Sequence, residues 1–423
     1  MERLIFHIDV NSAYLSWEAA RRVKQGGEDL RRIPAAIGGD PAKRTGVILA
    51  KSIPAKRYGV RTGEPVAMAL RKCPGLVLAR PDFRLYEACS RAFMDICRRY
   101  APVVEKFSID ECFLDMSGTG RLYPDPVQIA HTIRDTIREE LGFTVNVGIS
   151  RNKLLAKMAS DFEKPDKVHT LYPEEIPAKL WPMPVGALFL VGHATAQKLE
   201  RAGLRTIGEL AAADERRVQA LLGRKLGQQL HEYANGRDPS PVLAQPEEAK
   251  GYSVSTTLAE DVTTLEEANR ILLELADSVT ARMRADHAWT YCIAVSIRTR
   301  DFQNRSHQRK LEEATDVTGE VYAVSKELLA ELWKSRVPLR LIGISLMQIV
   351  RENAVQMTLF SGDEEKERAR RLDQTLDSLR SRYGMDTITR GATLQQPLGV
   401  GKKYKAQLEA EKKRDGKRPE RKA

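Results

Sequence analysis

The chain has 423 residues, 42% of them hydrophobic, a length that suggests roughly two to four domains with substantial cores. Its formal net charge of +11 favours a polyanionic partner without specifying one, and residues 401–423, with ten lysines and arginines against four acids, supply +6 of it. The five cysteines (Cys73, Cys89, Cys97, Cys112 and Cys292) form no CxxC pair and no regular spacing, which argues against a zinc site and against a disulfide-stapled secreted fold. No apolar run reaches the ~18 residues of a membrane span, and the N-terminus has no basic, apolar, cleavable pattern, so a cytoplasmic protein with no membrane partner is expected.

Leu4 to Asp9 is a short apolar run closing on a carboxylate, the pattern of a buried strand whose last residue emerges at a sheet edge. From Val10 to Leu78 the pattern breaks into helical and turn segments rich in Arg, Lys, Gly and Pro, which reads as an insertion. The spacing then predicts a helix over 86–100, strands over 103–109 and 112–116, a helix over 126–141 and a strand over 144–149. With the first strand this is β-α-β-β-α-β, the ferredoxin-like order of an α+β protein. A further helix is predicted over 152–162, with Ser150 as its cap and Pro165 beyond its end.

Residues 173–184 form a proline-punctuated connection into short helices, and 236–248 a polar, proline-containing linker, so a boundary is placed at each. Beyond the linker the order repeats: strand 252–258, helix 265–285, strands 291–300 and 306–311, helix 318–334, strand 339–350. A second β-α-β-β-α-β unit is expected. Its middle strands carry Arg298, Arg300, Arg305, His307, Arg309 and Lys310 around one turn. From Glu352 onward come one charged helical segment and a basic tail, expected to be partly disordered.

Chemistry is most legible in Asp9 at the end of one predicted strand and Asp110-Glu111 at the junction of two others. In a ferredoxin-like sheet these strand ends are neighbours, and three converging carboxylates repel one another unless cations neutralise them. Hard oxygen ligands of this kind suit Mg²⁺, with Mn²⁺ as a substitute. Two such ions about 3.5 to 4 Å apart would stabilise the attacking and leaving oxygens of an in-line phosphoryl transfer. Adjacent strand residues point to opposite faces, so a bend or bulge is predicted at Asp110-Glu111. Taken alone, the carboxylates are equally compatible with a helix cap at Asp9 and a solvated turn at Asp110-Glu111.

Four motifs narrow these alternatives. His7-Ile8-Asp9-Val10-Asn11-Ser12-Ala13-Tyr14, Ala55-Lys56-Arg57-Tyr58-Gly59-Val60, Ser108-Ile109-Asp110-Glu111, and Gly148-Ile149-Ser150-Arg151-Asn152-Lys153 followed by Lys164-Pro165 together resemble Y-family DNA polymerases of the DNA polymerase IV type, over about residues 1 to 350. The resemblance implies a right-hand arrangement: palm (1–12 and 79–172), fingers (13–78), a helical thumb (173–240), a linker (241–250), a little finger (251–351), and a clamp-binding motif with the basic tail (352–423). It implies that Asp9, Asp110 and Glu111 are catalytic and hold two Mg²⁺ ions, with the main chain at Val10 as a further ligand. Tyr14 stands where the family keeps an aromatic steric gate against the 2′-hydroxyl, and Lys164 matches a triphosphate-binding lysine. The pocket also departs from the pattern. Ile53 and Lys56 occupy the places of a Tyr and an Arg that bind the triphosphate, and Ala13 and Ala50 replace an aromatic and a hydroxyl residue. Lys56 keeps charge but not the two-pronged guanidinium geometry, leaving nucleotide binding to Lys56, Arg57 and Lys164, with Lys51 as a further candidate.

In the implied thumb, Leu190 to Leu199 followed by Ala202-Gly203-Leu204 resembles a helix-hairpin-helix, in which Gly192 lets backbone N–H groups approach a phosphate. Arg298, Arg300, Arg309 and Arg340 are the little-finger candidates for DNA contact, positioning the backbone without reading bases. Gln356-Met357-Thr358-Leu359-Phe360 resembles the peptide with which bacterial polymerases dock in the sliding clamp, through Gln356, Leu359 and Phe360. The implied activity is low-fidelity, translesion nucleotidyl transfer from deoxynucleoside triphosphates to the 3′-hydroxyl of a primer-template DNA, by a monomer without a proofreading exonuclease. Two rivals stand beside it: a non-catalytic DNA- and clamp-binding factor, which the altered pocket would allow, and a nucleotide cyclase, which would leave the thumb and clamp motifs unexplained.

Overall fold

The structure, a computed structural model, describes residues 3–40, 46–351, 363–384, 387–388 and 391. It divides after Pro246 into two compact units. In the first, the N-terminal apolar run forms β1 (Ile5–Val10), buried on both faces. After α1 (Ala13–Lys24) comes a three-stranded sheet with β2 (Ala35–Gly38) at its centre, flanked by β3 (Ile48–Lys51) and β4 (Val77–Ala79), with α2 (Ile53–Arg57) and α3 (Val66–Lys72) between these two. Strands of three or four residues are too short to display a period of two, which is why this stretch reads as turns in the sequence. It has its own small core, including Ala36, Ile48, Val60 and Val66.

The β-α-β-β-α-β order is completed by α4 (Phe83–Cys97), β5 (Val103–Lys106), β6 (Glu111–Asp115), α5 (Pro126–Leu141) and β7 (Val145–Ser150). α5 has the bounds that its sequence predicts because both ends are locally encoded. Asp125 accepts from the N–H groups of Val127 and Gln128 at 2.8 and 3.2 Å, and Gly142 ends the helix at φ 78°. The strand order is β5-β6-β1-β7, extended by β8 (Val168–Thr170). β1 pairs antiparallel with both neighbours, as the ferredoxin-like order requires.

Phe6, Ile8 and Val10 pack into a core shared with α4 and α5. The other face of β1, carrying Ile5 and His7, meets α6 (Lys153–Ser160). α6 lies so close that a Cβ on Gly148 of β7 would stand 1.9 Å from the Ala156 carbonyl oxygen, so only glycine fits there. The helix cap is Asn152, accepting from Leu155 N–H at 2.8 Å, and not Ser150, which is still in β7 and donates to the Leu171 carbonyl. α7 (Ile176–Lys179), α8 (His193–Arg201), α9 (Ile207–Ala212), α10 (Glu215–Leu222) and α11 (Arg224–Ala234) share a further apolar core with α6.

The second unit runs β9 (Tyr252–Val262), α12 (Leu265–Ala285), β10 (Trp289–Thr299), β11 (Asn304–Thr315), α13 (Thr318–Leu332), β12 (Leu339–Val350). The element order is the expected one, yet the sheet is arranged β11-β10-β12-β9, with the first strand at an edge. Ile293, Val295 and Ile297 of β10 join Leu275 and Val279 of α12 and Leu328 of α13 in its core. The charged segment is α14 (Asp363–Tyr383), which docks through ion pairs. Arg284 of α12, 9% exposed, donates to Asp377 Oδ2 at 2.7 Å and to the Asp316 carbonyl at 2.6 Å, and Arg380 pairs with Asp277 at 2.7 Å. Among the described residues no helix is long and apolar enough to cross a membrane.

Candidate active site

The pairing of β1 with β6 sets Asp9 opposite Glu111, and directly opposed residues share a face of the sheet. Asp110 precedes β6, in a turn organised by Ser108. The Ser108 Oγ accepts from the N–H groups of Asp110 and Glu111 at 3.2 and 3.0 Å and donates to Asp110 Oδ1 at 2.6 Å. This turn, rather than a bulge, releases Asp110 from the alternation of the strand. Val10 N–H donates to the Asp110 carbonyl at 3.0 Å, tying the turn to the end of β1.

Burial raises the pKa of Asp9 to about 6, helped by the charges of Glu111 and Asp110 and opposed by Lys164. The Lys164 ammonium contacts Asp9 Oδ2 and lies 2.8 Å from Asp161 Oδ1. Lys157 of α6 pairs with Glu111 Oε1 at 2.8 Å. Asp9 and Glu111 are thus each held by a lysine and Asp110 by the Ser108 hydroxyl, and among the described residues no three metal-ligating side chains are gathered into one cluster. The donor set still fits a hard divalent cation: Asp9, Asp110 and Glu111 offer oxygen alone, and the repulsion of Asp9 by Glu111 and Asp110 makes positive charge there favourable.

Two buried amides hold the segment that delivers Lys164. Asn146, opposite Asp9 on β7, donates to the carbonyls of Ser160 and Glu163 at 3.0 and 2.6 Å. Asn11 donates to Asn146 Oδ1 at 3.0 Å and accepts from Asp166 N–H at 3.0 Å. Sequence reasoning missed both, and Lys157 and His7 as well. The signals available were His7 two residues before Asp9 on the same strand face, and single polar residues inside the otherwise apolar runs of β7 and α6.

Tyr14, on α1, is half-buried and stacks on Tyr86 with ring centroids 4.6 Å apart, with Trp17 and Phe83 edge-on. Burial and the charge of Asp110 push its phenol pKa up. Lys56 and Arg57 are exposed on α2, whose first turn is capped by Ser52. Burial and the neighbouring Lys56 lower the pKa of Lys51, so this corner is cationic. Ile53 is 52% exposed at the start of the same helix. Of the three predicted nucleotide-binding cations, it is Lys164 that reaches the carboxylates.

Gly192 precedes α8, a Cβ there would meet nothing within 4 Å, and His193 and Ala194 at the start of the helix are exposed with it. In the second unit strand alternation divides the basic residues. Arg305, His307 and Arg309 pair across the strands with Ile297, Val295 and Ile293, on the face that α12 and α13 cover. Arg309 pairs with Glu327 and, at 2.8 Å, with Glu331 of α13, and His307 lies 2.9 Å from Glu331. Arg298, opposite Asn304 and Leu341, belongs to the other face and donates to Asn304 Oδ1 at 2.7 Å; Lys310, opposite Cys292, shares that face. Arg300 donates its backbone N–H to the Pro338 carbonyl just beyond β10, and Arg340 lies over the Phe302 ring at 4.9 Å. Gln356, Leu359 and Phe360 lie outside the described residues.

The impB/mucB/samB family matches residues 8–161 and its C-terminal domain residues 249–359, and a thumb domain described for DNA polymerase-iota matches 189–238. The DNA polymerase IV of Clostridium acetobutylicum is 44% identical over 94% of this chain and 99% of its own length. DNA polymerase IV 1 of Bacillus subtilis is 36% identical over 93% of this chain and 94% of its own. A solved Y-family DNA polymerase chimera shares the fold, with a TM-score of 0.71 and 21% identity over 82% of this chain and the whole of the other. With its carboxylates paired across β1 and β6 and relatives of this identity along nearly its whole length, the chain belongs to the impB/mucB/samB family, the Y-family DNA polymerases of the DNA polymerase IV type.

Proposed function

We propose that the chain is a DNA-directed DNA polymerase performing translesion synthesis, and that Asp9, Asp110 and Glu111 are its catalytic carboxylates. The observation that carries the assignment is the meeting of Asp9 and Glu111 across one register position, with the Asp110 turn bonded to Val10. Mg²⁺ held there, with Mn²⁺ able to replace it, would lower the pKa of the primer 3′-hydroxyl and neutralise the departing pyrophosphate. Asp9, Asp110, Glu111 and the Val10 carbonyl are the groups that would hold the ions. Lys164 exchanges Asp9 for a triphosphate oxygen when nucleotide enters, with Lys56 and Arg57 following the phosphates from α2. Tyr14, backed by Tyr86, closes the space that a 2′-hydroxyl would need.

The open N-terminus of α8 behind Gly192 suits a DNA phosphate. On the second unit Arg298, Arg300 and Arg340 are the DNA contacts we favour, whereas Arg309 is already engaged by two carboxylates. Gln356, Leu359 and Phe360 dock the monomer on the bacterial sliding clamp, in the cytoplasm. The test is extension of a labelled primer-template with the four deoxynucleotides and Mg²⁺ or Mn²⁺, beside an Asp110→Ala/Glu111→Ala control. Extension that vanishes in the control supports the reading. DNA binding without extension under either metal would favour the non-catalytic factor instead.

A further inference from the structure

His7 is 0% exposed and two residues before Asp9, on the strand face that α6 covers. Its ring rests on Phe113 of β6 at 4.7 Å, and its Nδ1 lies 2.8 Å from the Ser160 Oγ. The other nitrogen, Nε2, has no hydrogen-bond partner, yet it is aimed at Glu111 Oε2, 4.0 Å away. The opposite edge of the same carboxylate, Oε1, is held by Lys157 at 2.8 Å. An orphaned buried nitrogen costs free energy unless something in the working cycle satisfies it, and the one acidic group facing it is the third carboxylate of the site.

The proton on the ring can be assigned from its neighbours. In a neutral imidazole one nitrogen carries hydrogen and the other does not. Ser160 has a single hydroxyl proton and two acceptors at 2.8 Å, the His7 Nδ1 and the Lys157 carbonyl. Donation to the carbonyl would put hydrogen on Nδ1 and leave the bare Nε2 lone pair facing a carboxylate. Donation to Nδ1 leaves hydrogen on Nε2, pointing at Glu111. At 4.0 Å a bare lone pair is repelled by the carboxylate whereas an N–H is attracted to it, so the second arrangement is favoured.

We propose that His7 is a positioning residue for Glu111, its Nε2–H meeting Oε2 when the carboxylate moves by about the 1 Å that separates a 4.0 Å contact from a hydrogen bond. With the Lys157 ion pair opened, His7 would hold Oε2 and leave Oε1 free for the chemistry of the site. The inference rests on the catalytic role given to Glu111 above. It assigns the histidine no proton transfer, only orientation.

Two measurements test it. In metal-free protein carrying ¹⁵N-labelled histidine, with His7 assigned by the missing signal in His7→Asn, Nε2 should appear protonated in the wild type. In Glu111→Ala the Ser160 hydroxyl should turn and Nε2 should become bare. A bare Nε2 in the wild type overturns the proposal. Single-turnover primer extension supplies the second readout. His7→Asn retains an acceptor, its Oδ1, toward Ser160 but no donor toward Glu111, and its maximal rate should fall about tenfold, equivalent to roughly 1.4 kcal/mol, with the half-saturating nucleotide concentration unchanged. His7→Gln, which restores an amide at the Nε2 position, should recover most of the rate at equal melting temperature. Equal losses in both variants that track their melting temperatures would reduce His7 to a packing residue. Full activity in His7→Asn, with Glu111→Gln impaired, overturns this inference alone; full activity in Glu111→Gln overturns the catalytic reading of Glu111 and this inference with it.

Discussion

Replacing Asp9 by Asn should abolish primer extension and at the same time stabilise the metal-free protein. Burial lifts the Asp9 pKa from 3.8 to about 6, and at about 1.4 kcal/mol per unit the ionised carboxylate costs the folded state about 3 kcal/mol at pH 8. Asn fills the same volume without charge, but it leaves Lys164 with Asp161 as its remaining partner. The attraction of Lys164 is already contained in that shift, so the net stabilisation is about 3 kcal/mol. In a unit of this size that corresponds to roughly 6–12 °C in melting temperature.

The pH dependence follows from the direction of the shift. Because the folded pKa lies above the unfolded one, the folded state binds more protons in the window from about pH 4 to about pH 6, and wild-type stability falls as pH rises through it. Below that window Asp9 is protonated in both states, and the advantage of the variant disappears. Thermal unfolding of both proteins in chelator, from about pH 4.5 to about pH 8, measures the gap, and adding Mg²⁺ to the wild type should narrow it. A gap of zero at pH 8, or one that does not change with pH, would refute the argument that burial of charge is what the site has accepted for its chemistry.

Tyr14→Ala should raise ribonucleotide incorporation, read as the ratio of ribo- to deoxynucleotide insertion efficiency, and an unchanged ratio removes the steric-gate assignment. Alanine at Gln356, Leu359 and Phe360 together should abolish clamp pull-down while sparing distributive synthesis, and retained clamp binding sinks the docking assignment. Arg284→Ala, by removing the guanidinium that pairs with Asp377 and Asp373 of α14, should destabilise the second unit by about 3 kcal/mol. Hydrogen exchange across α14 should rise in that variant while exchange in β1, in the other unit, stays as in the wild type; unaltered protection of α14 would show that apolar contacts, not the ion pairs, hold it.

What the sequence determines by itself is what local interactions encode. The bounds of α5, α12 and β12 are readable because caps, glycine stops and periodicity act within a turn or a strand. Asp9 and Asp110-Glu111 are legible because a carboxylate closing an apolar run is conspicuous, and the four motifs carry the family. The pairing of strands is different in kind, since it is set by which faces can be buried together over long separations. The two units share an element order, yet β1 is central in one sheet and β9 lies at the edge of the other. Sequence spacing therefore grouped Arg305, His307 and Arg309 with Arg298, whereas register places the first three on the covered face, two of them against the carboxylates of α13. The contacts of His7, Lys157 and Asn146 likewise exist only because Gly148 lets α6 approach the sheet. Tertiary structure decided these features, because each depends on residues that no local pattern brings together.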